Sequence, residues 1–193
     1  MFATRIAVLD HTIFKKKALQ WAMQYDYFCL LDSHGYKDDP YRKYDWILAI
    51  DAKAVITIKS SDTQEKAHQL LRDIHNEPFS NNWRFGFLSY ELKNYFEQLS
   101  SNKHDGLQSD MACIFIPSIV IYSIDNTLYI EGNNCYEIVA SIINVNWPMG
   151  EIALPKLKFS ARIDKQAYLN KIHRIQDAIR NGDVYEMNLC QEF

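Results

Sequence analysis

Residues 112–122 read Ala-Cys-Ile-Phe-Ile-Pro-Ser-Ile-Val-Ile-Tyr, an apolar run with almost no polar alternation. A strand of this kind stays dry only when its sheet is covered on both faces. The chain must therefore build layers around it. Its supply of material is adequate, since apolar residues make up 48% and aromatic residues 13% of the 193, well above what a disordered chain carries. A length of 193 residues suits one domain with a full core, or one domain and a fragment of another.

The segments around this run alternate between strand and helix signals without a steady βαβ rhythm. Phe2 to Leu9 and Tyr27 to Leu31 read as strands, with a helix from Thr12 to Gln24 between them. Asp45 to Ile50 and Ala54 to Lys59 read as two strands joined by a hairpin at Asp51-Ala-Lys53. Ser61-Asp-Thr-Gln64 matches a capping box opening a helix that runs to about His75. Arg84 to Tyr90 reads as strand and passes into a short helix, followed by an exposed polar loop from Ser100 to Asp110. Ser123-Ile-Asp-Asn126 turns the long apolar run into a second strand, Thr127 to Glu131, and Asn134 to Asn144 reads as helix. Hairpins dominate. The expected fold class is α+β, a mostly antiparallel two-sheet domain with outer helices.

Pattern dissolves around Pro148, Gly150 and Pro155, which sets an expected boundary between a domain at 1–150 and a second unit at 151–193. The second unit opens with a helix capped by Asp164, carrying Tyr168, Ile172, Ile175 and Ile179 on one face and Gly182 at its left-handed end. Gly182 to Phe193 then alternates as a strand. With no second strand after it, the sequence reads as a longer protein cut short.

Several function classes are disfavoured at once. A net charge of −3 provides no basic field for nucleic acid or an anionic membrane. The apolar run at the N-terminus reaches Asp10 too soon for a signal peptide or a membrane span, so a cytoplasmic protein is expected. The four cysteines stand far apart, without zinc spacing, and read as reduced thiols. There is no phosphate-binding glycine loop, no His-Glu-x-x-His and no Gly-x-Ser-x-Gly elbow. The residues alone specify no catalytic site and no metal site.

A resemblance adds to this. Tyr168, Ile172, Gln176 and Ile179, followed by Gly182-Asp-Val-Tyr185 and Asn188-Leu189, resemble the opening of the chorismate-binding domain shared by aminodeoxychorismate synthase component I, anthranilate synthase component I and the isochorismate synthases. The family pattern ends its helix in Gly-Asp-x-Tyr-Gln-x-Asn-Leu-x-Gln-Arg-Phe, from which Glu186 and Glu192 depart. Leu30-Leu-Asp-Ser33, Gly35-Tyr36 with Asp38-Asp-Pro-Tyr-Arg-Lys-Tyr-Asp45, Gly86-Phe-Leu-Ser-Tyr-Glu-Leu92 and Asp110-Met-Ala112 are similar to elements of the same proteins, with the second favouring the aminodeoxychorismate synthase branch.

The resemblance implies an N-terminal portion of an enzyme that converts chorismate and ammonia to 4-amino-4-deoxychorismate for p-aminobenzoate and folate synthesis. A glutamine amidotransferase subunit would make the ammonia, and magnesium would be the cofactor of the complete enzyme. The family's metal-binding carboxylates and attacking lysine belong to the later part of the chorismate-binding domain, so this chain alone is expected to be inactive and to hold no cofactor. Two alternatives stand beside it: the corresponding part of anthranilate synthase component I, and a stand-alone amino-acid-binding domain.

The resemblance also implies an effector pocket that takes tryptophan, built from Ser33, Tyr41, Arg42 and Lys43, with Asn188 a further candidate. Ser33 could bond the polar end of the ligand, Arg42 or Lys43 could pair with its carboxylate, and Tyr41 or Tyr44 could stack on the indole. The plain reading of the same residues is a turn at Asp32-Ser33 with a solvated cationic rim at Arg42-Lys43. Which of the two cations would face a ligand stays open.

Overall fold

A computed structural model describes residues 3–36, 38–76, 78–79, 82–97, 99, 105–147 and 156–193. The chain divides into two compact units, Met1–Pro148 and Met149–Phe193. The expected boundary around Pro148, Gly150 and Pro155 lies outside the described residues, as does the first part of the polar loop at 100–110.

The first unit contains β1 (Thr4–Ile6), α1 (His11–Ala22), β2 (Phe28–Asp32), β3 (Trp46–Ile58), α2 (Gln64–Asp73), β4 (Phe85–Leu88), a 3-10 helix (Tyr90–Tyr95), β5 (Ala112–Ile124), β6 (Thr127–Glu131) and α3 (Cys135–Ile143). All six strands join one antiparallel sheet in the order β1-β6-β5-β3-β2, with β4 pairing the far half of β5. The α+β class is right, but the two-sheet arrangement is not. A single sheet takes every strand among the described residues, because β3 and β5 are each 13 residues long and serve as a common spine.

The length of β3 corrects the hairpin read at Asp51-Ala-Lys53. The register with β5 moves by one between Ala52↔Pro117 and Ala54↔Ile116, while Asp51 takes φ +60° and donates its N–H to Tyr27 O at 2.8 Å. This is a β-bulge, which absorbs turn-forming residues without reversing the chain. The other turn is as expected: Asp125 and Asn126 both have positive φ, and Ile124 pairs Thr127 across a two-residue hairpin of the primed type.

One face of the sheet carries α1 and α3. Phe14, Ala18 and Ala22, spaced four apart on α1, pack with Trp46, Leu48, Ile50, Ile121, Leu128, Ile130 and Ile142 in a dry cluster. Burying a side chain such as Leu48 or Ile121 stabilises the fold by about 1.5–3 kcal/mol. Asp10 starts α1 by accepting the Ile13 N–H at 2.8 Å. Beyond the bulge, Ile58 and Ala112 pack beneath Ala67 of α2. The cap of α2 is Thr63, whose hydroxyl accepts the Lys66 N–H. The capping box expected from Ser61 to Gln64 is not formed, because Gln64 Nε2 donates instead to Tyr95 O at 2.7 Å.

The opposite face is aromatic. Ile47, Ala49, Val120 and Tyr122 are buried there with Phe85 and Phe115, and Tyr44, Trp83 and Tyr129 pack against them half-buried.

In the second unit α4 (Lys165–Asn181) begins at Asp164, which accepts the Ala167 N–H at 2.7 Å, and ends at Gly182 with φ +80°. No residue of α4 is buried. Gly182 to Phe193, read as a strand, joins no ladder among the described residues. Its end lies against the lead-in to α4: Arg162 N–H donates to Glu192 O at 3.0 Å, their side chains pair at 2.8 Å, and Gln191 Nε2 reaches Ile163 O at 3.3 Å. Alternation alone makes a segment competent to pair, and a strand exists only where another backbone supplies the bonds.

Candidate functional site

β2 and β3 are antiparallel neighbours, with Asp32 opposite Trp46, so the loop between them is pinched at its base. Ser33 and Asp45 close it. Ser33 N–H and Ser33 Oγ–H both donate to the Asp45 carbonyl, at 3.0 and 2.8 Å. Asp45 N–H in turn donates to Ser123 O at 2.8 Å, which anchors the loop to β5.

The Asp45 carboxylate gathers three more groups. Oδ1 faces Arg42 Nη1 at 2.9 Å, and Oδ2 accepts from Ser123 Oγ at 2.8 Å and from the Asn126 N–H at 2.9 Å. Ser123 is 2% exposed, a polar residue buried in the core, so its hydroxyl needs this acceptor. One aspartate thus ties together the β2–β3 loop, β5 and the β5–β6 turn.

Asp32, at the end of β2, lies 2.7 Å from Lys15 Nζ of α1 and accepts the His34 N–H at 3.0 Å. Partial burial pushes its carboxyl upward, but the Lys15 ammonium and the His34 N–H outweigh that and hold it below the usual aspartate range. His34 and Gly35, at φ +50° and +72°, turn the chain away immediately afterwards.

The other side of the loop meets the aromatic face. Tyr44 stands edge-on to Trp83 and Tyr122, with centroids 6.0 and 5.5 Å away, and Lys43 Nζ lies 5.2 Å from the Tyr44 centroid. Tyr122 and Trp83 share Glu131: the phenol donates to Oε1 at 3.2 Å and the indole N–H to Oε2 at 3.1 Å. Burial, and then the Glu131 charge with its hydrogen bond, push the Tyr122 hydroxyl up to about 12.

The structure brings Ser33 and Arg42 together through Asp45 and seats Lys43 on the aromatic wall. Tyr41 points outward, 91% exposed. Asn188 belongs to the second unit and is exposed. Sequence reading missed Asp45, Trp83, Tyr122 and Glu131. Asp45 reads only as the first residue of a strand and Glu131 as the last, so only the hairpin signal at Ser123–Asn126 hinted that these ends converge. A cation over a ring beside a polar loop suits a molecule with an aromatic body and a carboxylate. Among the described residues no group of three or more His, Cys, Asp or Glu could hold a metal, and no helix is long and apolar enough to cross a membrane.

Residues 27–193 match the family described as chorismate binding enzyme, and the chain belongs to that family. It is also similar to aminodeoxychorismate synthase component 1 of Escherichia coli (strain K12), at 25% identity over 206 aligned residues that cover 91% of this chain. The chain spans about 42% of the length of that relative.

Proposed function

We propose that this chain works in the amination of chorismate to 4-amino-4-deoxychorismate, as the N-terminal part of an enzyme of the aminodeoxychorismate synthase component I type. Residues 1–150 would be its N-terminal domain, and 151–193 a linker and the start of its chorismate-binding domain. The observation that carries this reading is the family match, which runs through both units, joined to the likeness to the Escherichia coli enzyme. Ammonia would come from a glutamine amidotransferase partner. Magnesium, the cofactor expected of the complete enzyme, would be held with chorismate by the later part of the chorismate-binding domain; among the described residues no group of three or more His, Cys, Asp or Glu could hold a metal.

The share of the work proposed for this chain is support and effector binding at the β2–β3 loop. Ser33 Oγ, while donating to Asp45 O, keeps lone pairs that can accept from a ligand ammonium. Lys43 over Tyr44 supplies a cation and a ring for the carboxylate and indole of tryptophan.

Product analysis of the complete gene product tests the reading. With chorismate, ammonia and magnesium it should yield 4-amino-4-deoxychorismate; anthranilate as the product overturns the assignment. The 193-residue chain by itself should yield neither, and turnover by it refutes the division of labour. Calorimetric titration of the complete protein with tryptophan should show binding that weakens in Ser33→Ala, and an unchanged affinity removes Ser33 from the pocket.

A further inference from the structure

β3 occupies one edge of β5 along nearly its whole length, while two strands share the other edge. β6 pairs it from Val120 onward and β4 pairs it up to Phe115. Among the described residues Ile116 to Ile119 have no ladder partner on that edge, and Pro117 has no N–H to offer. The sheet therefore has a notch. Its two rims are not zipped by backbone but tied by a side chain, the Trp83 indole N–H donating to Glu131 Oε2 across the gap. The bulge on β3 brings Lys53 to the same place.

The notch opens as a cavity of about 460 Å³, a size ordinary for small-molecule sites. Ile116, Pro117 and Val120 give it an apolar floor, the Trp83 indole an aromatic wall, and Ser118 a hydroxyl. Its charged lining is Lys53, Arg84 and Glu131. Glu131 is held by Trp83 and Tyr122, one hydrogen bond to each oxygen, so its charge is already served by the protein. Arg84 spends Nη1 on Ile74 O at 2.9 Å, which fixes the guanidinium beside the opening. The lining leaves one positive charge in excess, set beside apolar surface. That pairing favours an anion with a flat apolar body over a bare inorganic ion, which would gain nothing from the floor.

We infer that the notch between β4 and β6 is a binding site for a small planar carboxylate, with Lys53 and Arg84 pairing its carboxylate and the half-buried Trp83 indole meeting its ring. The site is lined by no residue of the β2–β3 loop and does not depend on the function proposed above.

Benzoate, the simplest such molecule, is the probe, and nuclear magnetic resonance of the 15N-labelled chain is the readout. Titration into the millimolar range should move the amides of Lys53, Ser118 and Glu131 and the Trp83 indole N–H together along one saturable curve. Lys53→Ala with Arg84→Ala should weaken the affinity at least tenfold, and both side chains are exposed, so the fold is kept. Benzamide, the neutral isostere, should bind at least tenfold more weakly. No saturable shift at these groups, an affinity unchanged in the double variant, or equal binding of benzamide each overturns the proposal.

Discussion

Removing the Asp45 carboxylate is the perturbation that the fold should feel most sharply for so small a change. In Asp45→Ala, Ser123 Oγ loses its acceptor while remaining 2% exposed, and an orphaned buried hydroxyl costs about 1–3 kcal/mol. The Asn126 N–H also loses a charged acceptor, but it is exposed and water replaces most of that bond. The Arg42 pair adds about 0–1 kcal/mol, since both side chains keep a fifth or more of their exposure. The expected loss is about 3 kcal/mol, a large part of the roughly 5–15 kcal/mol typical of a domain. Urea unfolding measures it as a lower midpoint at constant slope. Ser123→Ala made alongside completes a cycle: with the hydroxyl gone, Asp45→Ala should cost about 1–2 kcal/mol less. A loss below about 1 kcal/mol, or single losses that simply add, would refute the view that Asp45 serves a buried hydroxyl.

Three further outcomes follow from the same geometry. The folded-state carboxyl of Asp32 is depressed, so its contribution is present above the ordinary aspartate range of about 4 and lost as pH falls through the lower folded value; Asp32→Asn should flatten the acid limb of stability against pH, and an unchanged limb counts against the Lys15 pairing. Tyr122 is raised from the ordinary 10.0 to about 12, so its contribution is complete below the ordinary value and lost as pH climbs between the two; Glu131→Gln should bring a tyrosine titration back toward the ordinary range by ultraviolet absorbance. At Gly86, φ is +151° and an added Cβ would stand 1.9 Å from Cys113 O, so Gly86→Ala should cost more than about 2 kcal/mol and part β4 from β5, seen as faster hydrogen exchange at the Phe87 and Leu88 amides.

Local chemistry was legible wherever a feature is complete within a few residues. The Asp164 cap and Gly182 stop of α4, the Asp125-Asn126 turn and the apolar run of β5 need no distant partner to declare themselves. The misreadings share a cause. Asp51-Ala-Lys53 has turn residues, yet β5 continues past it and supplies bonds on both sides, so the bulge wins over the hairpin. Ser61 and Gln64 have capping-box spacing, but Tyr95 competes for Gln64 from 31 residues away. Of the candidate loop residues, Ser33 and Arg42 were visible as polar and cationic. Their common partner Asp45 was not, because its function depends on Ser123 and Asn126, some 80 residues further along the chain.

The sequence by itself determined the α+β class, the family resemblance later shown by the comparison, and the caps and turns whose bonds close within one turn of chain. Only the tertiary structure decided that one sheet gathers the six strands of the described residues, that Asp45 knots the β2–β3 loop to β5, and that β4 and β6 leave a notch between them. The division is physical. A cap or a two-residue turn is set by near neighbours, whereas strand pairing is chosen among every segment able to pair, and that choice is made by burial across the whole domain.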